Sequence, residues 1–337
     1  MTRAKPNLVR LCELANGQSG DFFALLAEKS RGTTRDGKAY FVCRFRDAHR
    51  TATSMVWQDG KWFESCERDW KDGQFYKIRG TYSEHERYGA QLDLELLRPV
   101  TEADRDDGYD PSGLVEQSRF PAAEMFLELR TLAEKNITDE PLRRLTLTLL
   151  DRHAEPLQRL PATSRHFYPF RAGLLEHVLS VTTISLNLAE TFAARYTGLK
   201  PPLNRDLVVA GAILHDLGRV KEFDDDPVSP QPTVPGRMLG HLTLARDLVR
   251  DAARDQGDVN HELLLLLEHI ILSHLALPEW GSPRLPMIPE CLIIHHADDL
   301  DAKMEMYVRC LSADKEAGPF TARDAVLGKQ LFKGRSV

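Results

Sequence analysis

The chain has 337 residues, 42% hydrophobic and 28% charged, with a formal net charge of −6. That length supports a full hydrophobic core and is more naturally two domains than one. A membrane protein is excluded in this reading, since no stretch reaches the roughly 18 uninterrupted apolar residues a span requires, and the opening MTRAKPNLVRLCELANGQ carries no apolar export core. A cytoplasmic globular protein is therefore expected. Five cysteines, Cys12, Cys43, Cys66, Cys291 and Cys310, are an odd number without a CxxC pair. They read as free thiols, neither a disulfide framework nor a thiolate zinc site.

Up to residue 100 the pattern is short and strand-like. The runs AYFVCRF (39–45), ATSMVW (52–57), FYKIRGTY (75–82) and AQLDLELL (90–97) are separated by Gly, Asp and Asn turn signals. Period-2 alternation is clearest from Gln91 to Leu96, and Asp36-Gly37 reads as a tight hairpin turn. A five-stranded OB-type barrel over residues 1–100 fits this spacing. The same hundred residues hold 17 Lys+Arg against 14 Asp+Glu, a net of +3 that leaves −9 for the rest. The first domain is thus the better candidate for touching a polyanion.

Residues 101–120 are acidic and contain Pro, Gly and Ser without apolar periodicity, which predicts a linker. From 121 to 337 nearly everything has helical period, so the second domain is predicted to be an all-helical bundle. Asp139 is placed as an N-cap with Pro141 in the first turn, and Asp206 as the cap of the apolar helix LVVAGAIL. The Pro- and Asp-rich stretch 222–236 is predicted to be a surface loop beside the site.

Five segments of this second domain carry histidine or aspartate on apolar helical sequence. They are His177, the pair His215-Asp216, His241, His274 and Asp298. An imidazole or carboxylate buried on such a helix needs a partner to offset its desolvation, and a divalent cation satisfies several at once. His269 and His274 lie five apart and on one helix point about 140° apart. His274 is preferred, because Leu267, Ile270 and Ile271 share its face. His295 lies within reach of Asp298 and is expected to orient it.

The words GLLEHVLSV, AILHDLGRVKEF, GRMLGH, HIILSH, GSPRLP and HHADDLDAKM, in that order, resemble the HD-domain phosphohydrolases, and specifically the YhaM-type 3′-to-5′ exoribonucleases. The first hundred residues also resemble that family's N-terminal OB-fold. The resemblance implies metal ligands at His177, His215, Asp216, His241, His274 and Asp298, with His269 as an extra ligand or a neighbour of one. The chain departs from the family's pattern at Leu275, which replaces a second histidine, at Arg219, which replaces a lysine, and at Arg171-Ala172 ahead of Gly173. Leu275 leaves the number of ions at one or two.

Imidazole-rich ligation favours manganese, or cobalt, iron or zinc, over magnesium. The reaction expected is hydrolysis of single-stranded RNA, or DNA, to nucleoside monophosphates, with Asp216, Arg219 and Lys221 acting at the scissile phosphate. Arg44, Arg46, Trp57, Lys77 and Arg79 of the barrel are expected to bind the strand, and a homo-oligomer is implied by the resemblance. Two other readings remain: a nucleotide or cyclic-nucleotide phosphohydrolase, and a catalytically decayed nucleic-acid-binding protein.

Overall fold

The computed structural model describes residues 8–34, 36–85, 88–226 and 230–334. The chain divides into two compact units, Met1–Gln117 and Ser118–Val337. In the first, strands β1 (Ser19–Thr33), β2 (Ala39–Arg46), β3 (Thr51–Trp57), β4 (Phe75–His85) and β5 (Gly89–Pro99) form a closed barrel in the order β1-β2-β3-β5-β4, with helix α1 (Phe63–Arg68) between β3 and β4. The long β1 serves two neighbours. Ser19 to Leu25 pair with β4, Leu25 to Thr33 pair with β2, and a bulge between Leu26 and Glu28 bends the strand around the core. Closure runs through one parallel pairing, Thr53 with Gln91. This is the OB-type barrel expected.

The four strand words fall on β2 to β5. β1 carries no alternation, because Phe22 to Leu26 are all buried, and a continuous apolar run hides the period of two. At the predicted hairpin, the Gly37 amide donates to the Thr34 carbonyl at 3.0 Å with φ at +81°, a conformation that favours glycine.

The stretch read as a linker is instead largely folded onto the barrel. Residues 102–105 and 111–114 form 3₁₀ turns, Asp104 is 2% exposed, and Leu114 and Val115 are buried. Arg98 donates to both carboxylate oxygens of Asp104 at 2.5 and 2.7 Å, Lys77 reaches Asp104 at 3.3 Å and Asp107 at 2.6 Å, and Tyr109 packs against Phe23 and Phe75. Composition alone could not reveal these partners, because an acid or aromatic in a polar stretch looks the same whether it pairs with a strand or faces water.

The second unit is helical: α2 (Ala122–Asn136), α3 (Glu140–Arg152), α4 (Ala154–Leu157), α5 (Gly173–Arg195), α6 (Arg205–Leu214), α7 (Arg219–Glu222), α8 (Val234–Gln256), α9 (His261–Ser273) and α10 (Pro289–Ala313). Every residue of α6 from Leu207 to Leu214 is buried, as expected of a helix apolar all round, and α2, α3, α5, α9 and α10 pack about it. A Cβ on Gly211 would come within 2.8 Å of Ile294 and 3.0 Å of Ile270, so the glycine lets α9 and α10 approach. Asp139 caps α3 as expected, accepting from the Leu142 amide. The cap of α6 is Asn204 rather than Asp206. Asp206 instead accepts from the amides of Thr138 and Asp139 and ties the start of α3 to α6.

Among the described residues, no helix is long and apolar enough to cross a membrane. All five cysteines are free.

Candidate metal centre

Three of the five segments end or bend where their polar residue sits, those of His215-Asp216, His241 and His274. His177 lies one turn into α5, His215 is the C-cap of α6, Asp216 follows it, and His274 is the C-cap of α9. His241 follows Gly240, whose φ of 72° and ψ of 161° kink α8. Asp298 lies on the inner face of α10. A Cβ on Gly218 would collide with the His241 carbonyl and lie 2.5 Å from the Ala245 amide, so this glycine is what admits α8 beside the turn that carries Asp216. The C-termini of α6 and α9 both end at the centre, where their partial negative charge favours a cation.

The imidazoles share one arrangement. His177 Nδ1 donates to Asp301 at 2.8 Å, His215 Nδ1 to the Ala212 carbonyl at 2.7 Å, and His274 Nδ1 to the Ile271 carbonyl at 2.9 Å, while His241 Nδ1 lies 3.5 Å from Glu222. With Nδ1 as the donor, Nε2 keeps its lone pair. The Nε2 atoms of His177, His215, His241 and His274, and Oδ1 of Asp216, are all buried without a hydrogen-bond partner among the described residues. His177 Nε2 lies 3.1 Å from Asp298, in a direction that makes no hydrogen bond, and His241 Nε2 lies 3.2 Å from Asp216 Oδ1. Leaving five buried polar atoms unsatisfied in one place costs about 1–3 kcal/mol each. A shared cation removes that cost. Two overlapping groups, His177 with His215 and Asp298, and His215 with Asp216 and His274, have ligand atoms within 4.8 Å of one another. The donor set fits a divalent ion.

The electrostatics match a cation at His215, His274 and the two aspartates, whereas Asp298 and Asp301 favour a proton on His177 that an ion would have to displace. Burial works against a charge on His177, but Asp298 and Asp301 outweigh it and raise its pKa to about 10. Burial lowers His215, and pushes His274 down to about 3, so both rings are neutral at pH 7. Burial alone would raise the two aspartates. Arg219 and the surrounding histidines instead hold Asp216 well below the usual carboxylate range, and His177 holds Asp298 at about 2.

Two carboxylates of the centre carried no assigned role in the sequence reading. Asp301 accepts from His177, from Tyr168 Oη at 3.2 Å and from Ser180 Oγ. Glu222 accepts from Arg219 at 3.0 Å and borders His241. The spacing of Asp298 and Asp301, one turn apart on one stripe, was the available signal for the first.

Other expectations need correction. His269 is turned away from the centre and accepts the Met287 amide at 3.0 Å, fixing the loop before α10. His295 donates to the His274 carbonyl at 2.7 Å, so it braces the end of α9 and not Asp298. Arg219 is 8% exposed and donates to Asp216 at 2.7 Å. Lys221 is exposed and does not line the cavity; its charge acts on His153. In the barrel, Lys77 is committed to Asp104 and Asp107, Arg79 to Asp21 through two bonds, and Arg44 to Glu28. Arg46 is half-buried. Trp57 is 46% exposed, with its ring 5.4 Å from that of Tyr40.

The centre opens into a cavity of about 720 Å³, bordered by Arg219, Glu222, His241, Asp298, Leu275 and Trp280 among others. Leu275, where a further histidine was looked for, supplies apolar wall. The predicted loop borders it too, through Phe223 and Pro232, which bridge to each other; residues 227–229 of that loop lie outside the described residues.

A helical bundle holding this His, His-Asp, His, His, Asp series is an HD-domain protein, and the HD domain family matches residues 174–303. Over 316 residues the chain is 34% identical to the 3′-5′ exoribonuclease YhaM of Bacillus subtilis strain 168, covering 94% of this chain and 95% of that protein. It is 33% identical over the same shares to the protein of that name from Bacillus licheniformis, and 32% identical over 319 residues to that of Bacillus pumilus. The chain belongs to the YhaM family of exoribonucleases. Among solved structures, the second OB-fold domain of replication protein A from Methanococcus maripaludis aligns over 28% of this chain and 96% of its own, with 14% identity and a TM-score of 0.22. The OB-type assignment rests on strand order.

Proposed function

We propose that this chain is a cytoplasmic, metal-dependent 3′-to-5′ exoribonuclease that hydrolyses single-stranded RNA to nucleoside monophosphates. The observation that carries it is the convergence of four unpartnered imidazole nitrogens and the Asp216 oxygen, in a chain related along nearly its whole length to exoribonucleases. His177, His215, Asp216, His241, His274 and Asp298 hold the ion. Manganese is the first choice, because imidazole donors suit it better than magnesium, with cobalt, iron and zinc as alternatives. A bound divalent ion supplies Lewis acidity, which polarises the phosphodiester and makes water acidic enough to attack at neutral pH.

The chain's own residues do the rest. Arg219 holds Asp216 in place and, bordering the cavity, offers its remaining edge to a phosphate oxygen. Asp301 and Glu222 fix the rings of His177 and His241. Water adds to phosphorus, the bond to the 3′ oxygen of the preceding residue breaks, and that oxygen takes up a proton. Residues 1–117 form the strand-binding unit, with Trp57 as a stacking surface. Assembly into a homo-oligomer belongs to the same proposal.

Oligoribonucleotides labelled at either end test the reading. With Mn²⁺, a 3′ label is expected to leave at once as mononucleotide, a 5′ label to give a descending ladder, and chelation to stop both. Internal fragments, or hydrolysis of free nucleotides only, would refute it.

A further inference from the structure

Hydrolysis at the metal centre requires no aromatic wall, yet the cavity has one. Trp280 borders it while 50% exposed. Its backbone is set by a tight turn in which the Trp280 amide donates to the Leu277 carbonyl at 3.0 Å and the Gly281 amide to the Pro278 carbonyl at 2.9 Å. Gly281 has φ at +105°, where a side chain would be strained. The indole lies 6.4 Å from the His295 ring at an angle of 38°, and Lys303 Nζ stands 5.9 Å from the indole. His295 in turn donates to the His274 carbonyl, so one side chain joins the indole to a residue of the metal centre. Single exposed apolar side chains are ordinary on protein surfaces. An indole set between His295 and Lys303 at the edge of the cavity that also contains Asp298 and Arg219 is a different case.

We propose that Trp280 is the stacking platform for the base of the 3′-terminal nucleotide while the bond behind that nucleotide lies at the His-Asp centre. Every base has a π-face, so an indole grips the chain end without reading its sequence. Lys303, paired with Asp299 at 2.7 Å, borders the same cavity and sets its Nζ beside the indole. The proposal rests on the exoribonuclease reading, and Trp280 in it is a positioning residue rather than a participant in bond breaking.

The test is a double-mutant cycle between protein and substrate. Wild-type, Trp280→Ala and Trp280→Phe proteins are each given two oligoribonucleotides, one intact and one whose 3′-terminal ribose lacks its base, and KM and kcat are measured for release of the first residue. Stacking predicts that removing the indole, or the base, raises KM on the order of tenfold. Removing both is expected to do little more than either alone, and Trp280→Phe to restore most of the loss. Independent, additive penalties would overturn the proposal, as would an unchanged KM in Trp280→Ala or an equal loss of kcat on both substrates. If the wild-type protein releases nothing from either oligonucleotide, the exoribonuclease reading itself fails, which is a separate result.

Discussion

His177 gives its Nδ1 proton to Asp301 across 2.8 Å, and that bond turns the opposite nitrogen towards Asp298 and Asp216. Asp301 also receives Tyr168 and Ser180, so three donors hold one carboxylate that itself holds the ring. Asp301→Asn keeps the shape but not the charge. It is expected to weaken Mn²⁺ binding about 10- to 100-fold in calorimetric titration, with the circular dichroism of the helices unchanged. Wild-type affinity in that variant would show that the pairing is incidental.

Gly218 governs how closely α8 approaches the turn carrying Asp216. Because the obstacle to a Cβ there is backbone, Gly218→Ala is expected to lower stability by about 1–3 kcal/mol in urea unfolding. Metal affinity should fall with it, as His241 is displaced from Asp216. A variant as stable as the parent would mean that the two segments separate without cost.

The ordered histidines and aspartates were legible in the sequence because each interrupts an apolar helical run, where a polar group has no cheap explanation. Asp301 and Glu222 were harder to distinguish, since an acid on a helix looks the same whether it holds a histidine or faces water. Helical phase preferred His274 to His269, and the structure turns His274 into the cluster while His269 accepts the Met287 amide. It failed for His295, whose partner is a backbone carbonyl that no residue pattern reports. The misreading of Lys77 has the same origin as that of the linker: Asp104 and Asp107 lie in a segment that composition describes as open chain, and only tertiary pairing shows them bound to the barrel.

That pairing separates two roles in the barrel. Trp57→Ala is expected to weaken binding of a single-stranded oligoribonucleotide by about tenfold in fluorescence anisotropy, the scale of one lost base stack. Lys77→Ala should leave that affinity nearly unchanged and lower the melting temperature instead, because its charge is spent on Asp104 and Asp107. The reverse pattern would restore Lys77 to the strand-binding surface.

Asp104 gives a pH signature. The Arg98 guanidinium, with help from Thr101 and Lys77, outweighs burial and holds its carboxyl well below the ordinary value of 3.8. A depressed folded pKa means that the unfolded chain binds the proton more readily, so the stabilisation is complete above the ordinary carboxylate range and is lost as pH falls through the folded value. Asp104→Asn is therefore expected to cost about 1.5–3 kcal/mol at pH 7. The difference from the parent should shrink steadily in denaturant titrations taken below about pH 4. A gap that stays constant with pH would mean the charge of Asp104 contributes nothing.

The central claim is that the four inward Nε2 atoms and the carboxylates of Asp216 and Asp298 hold an ion. X-ray absorption spectroscopy of the manganese-loaded protein tests it most directly, because multiple scattering distinguishes imidazole from simple oxygen ligands. The expected result is a mixed nitrogen and oxygen shell with several imidazoles, reduced by one in His274→Ala. A shell of oxygen alone, or one unchanged in that variant, would contradict the account.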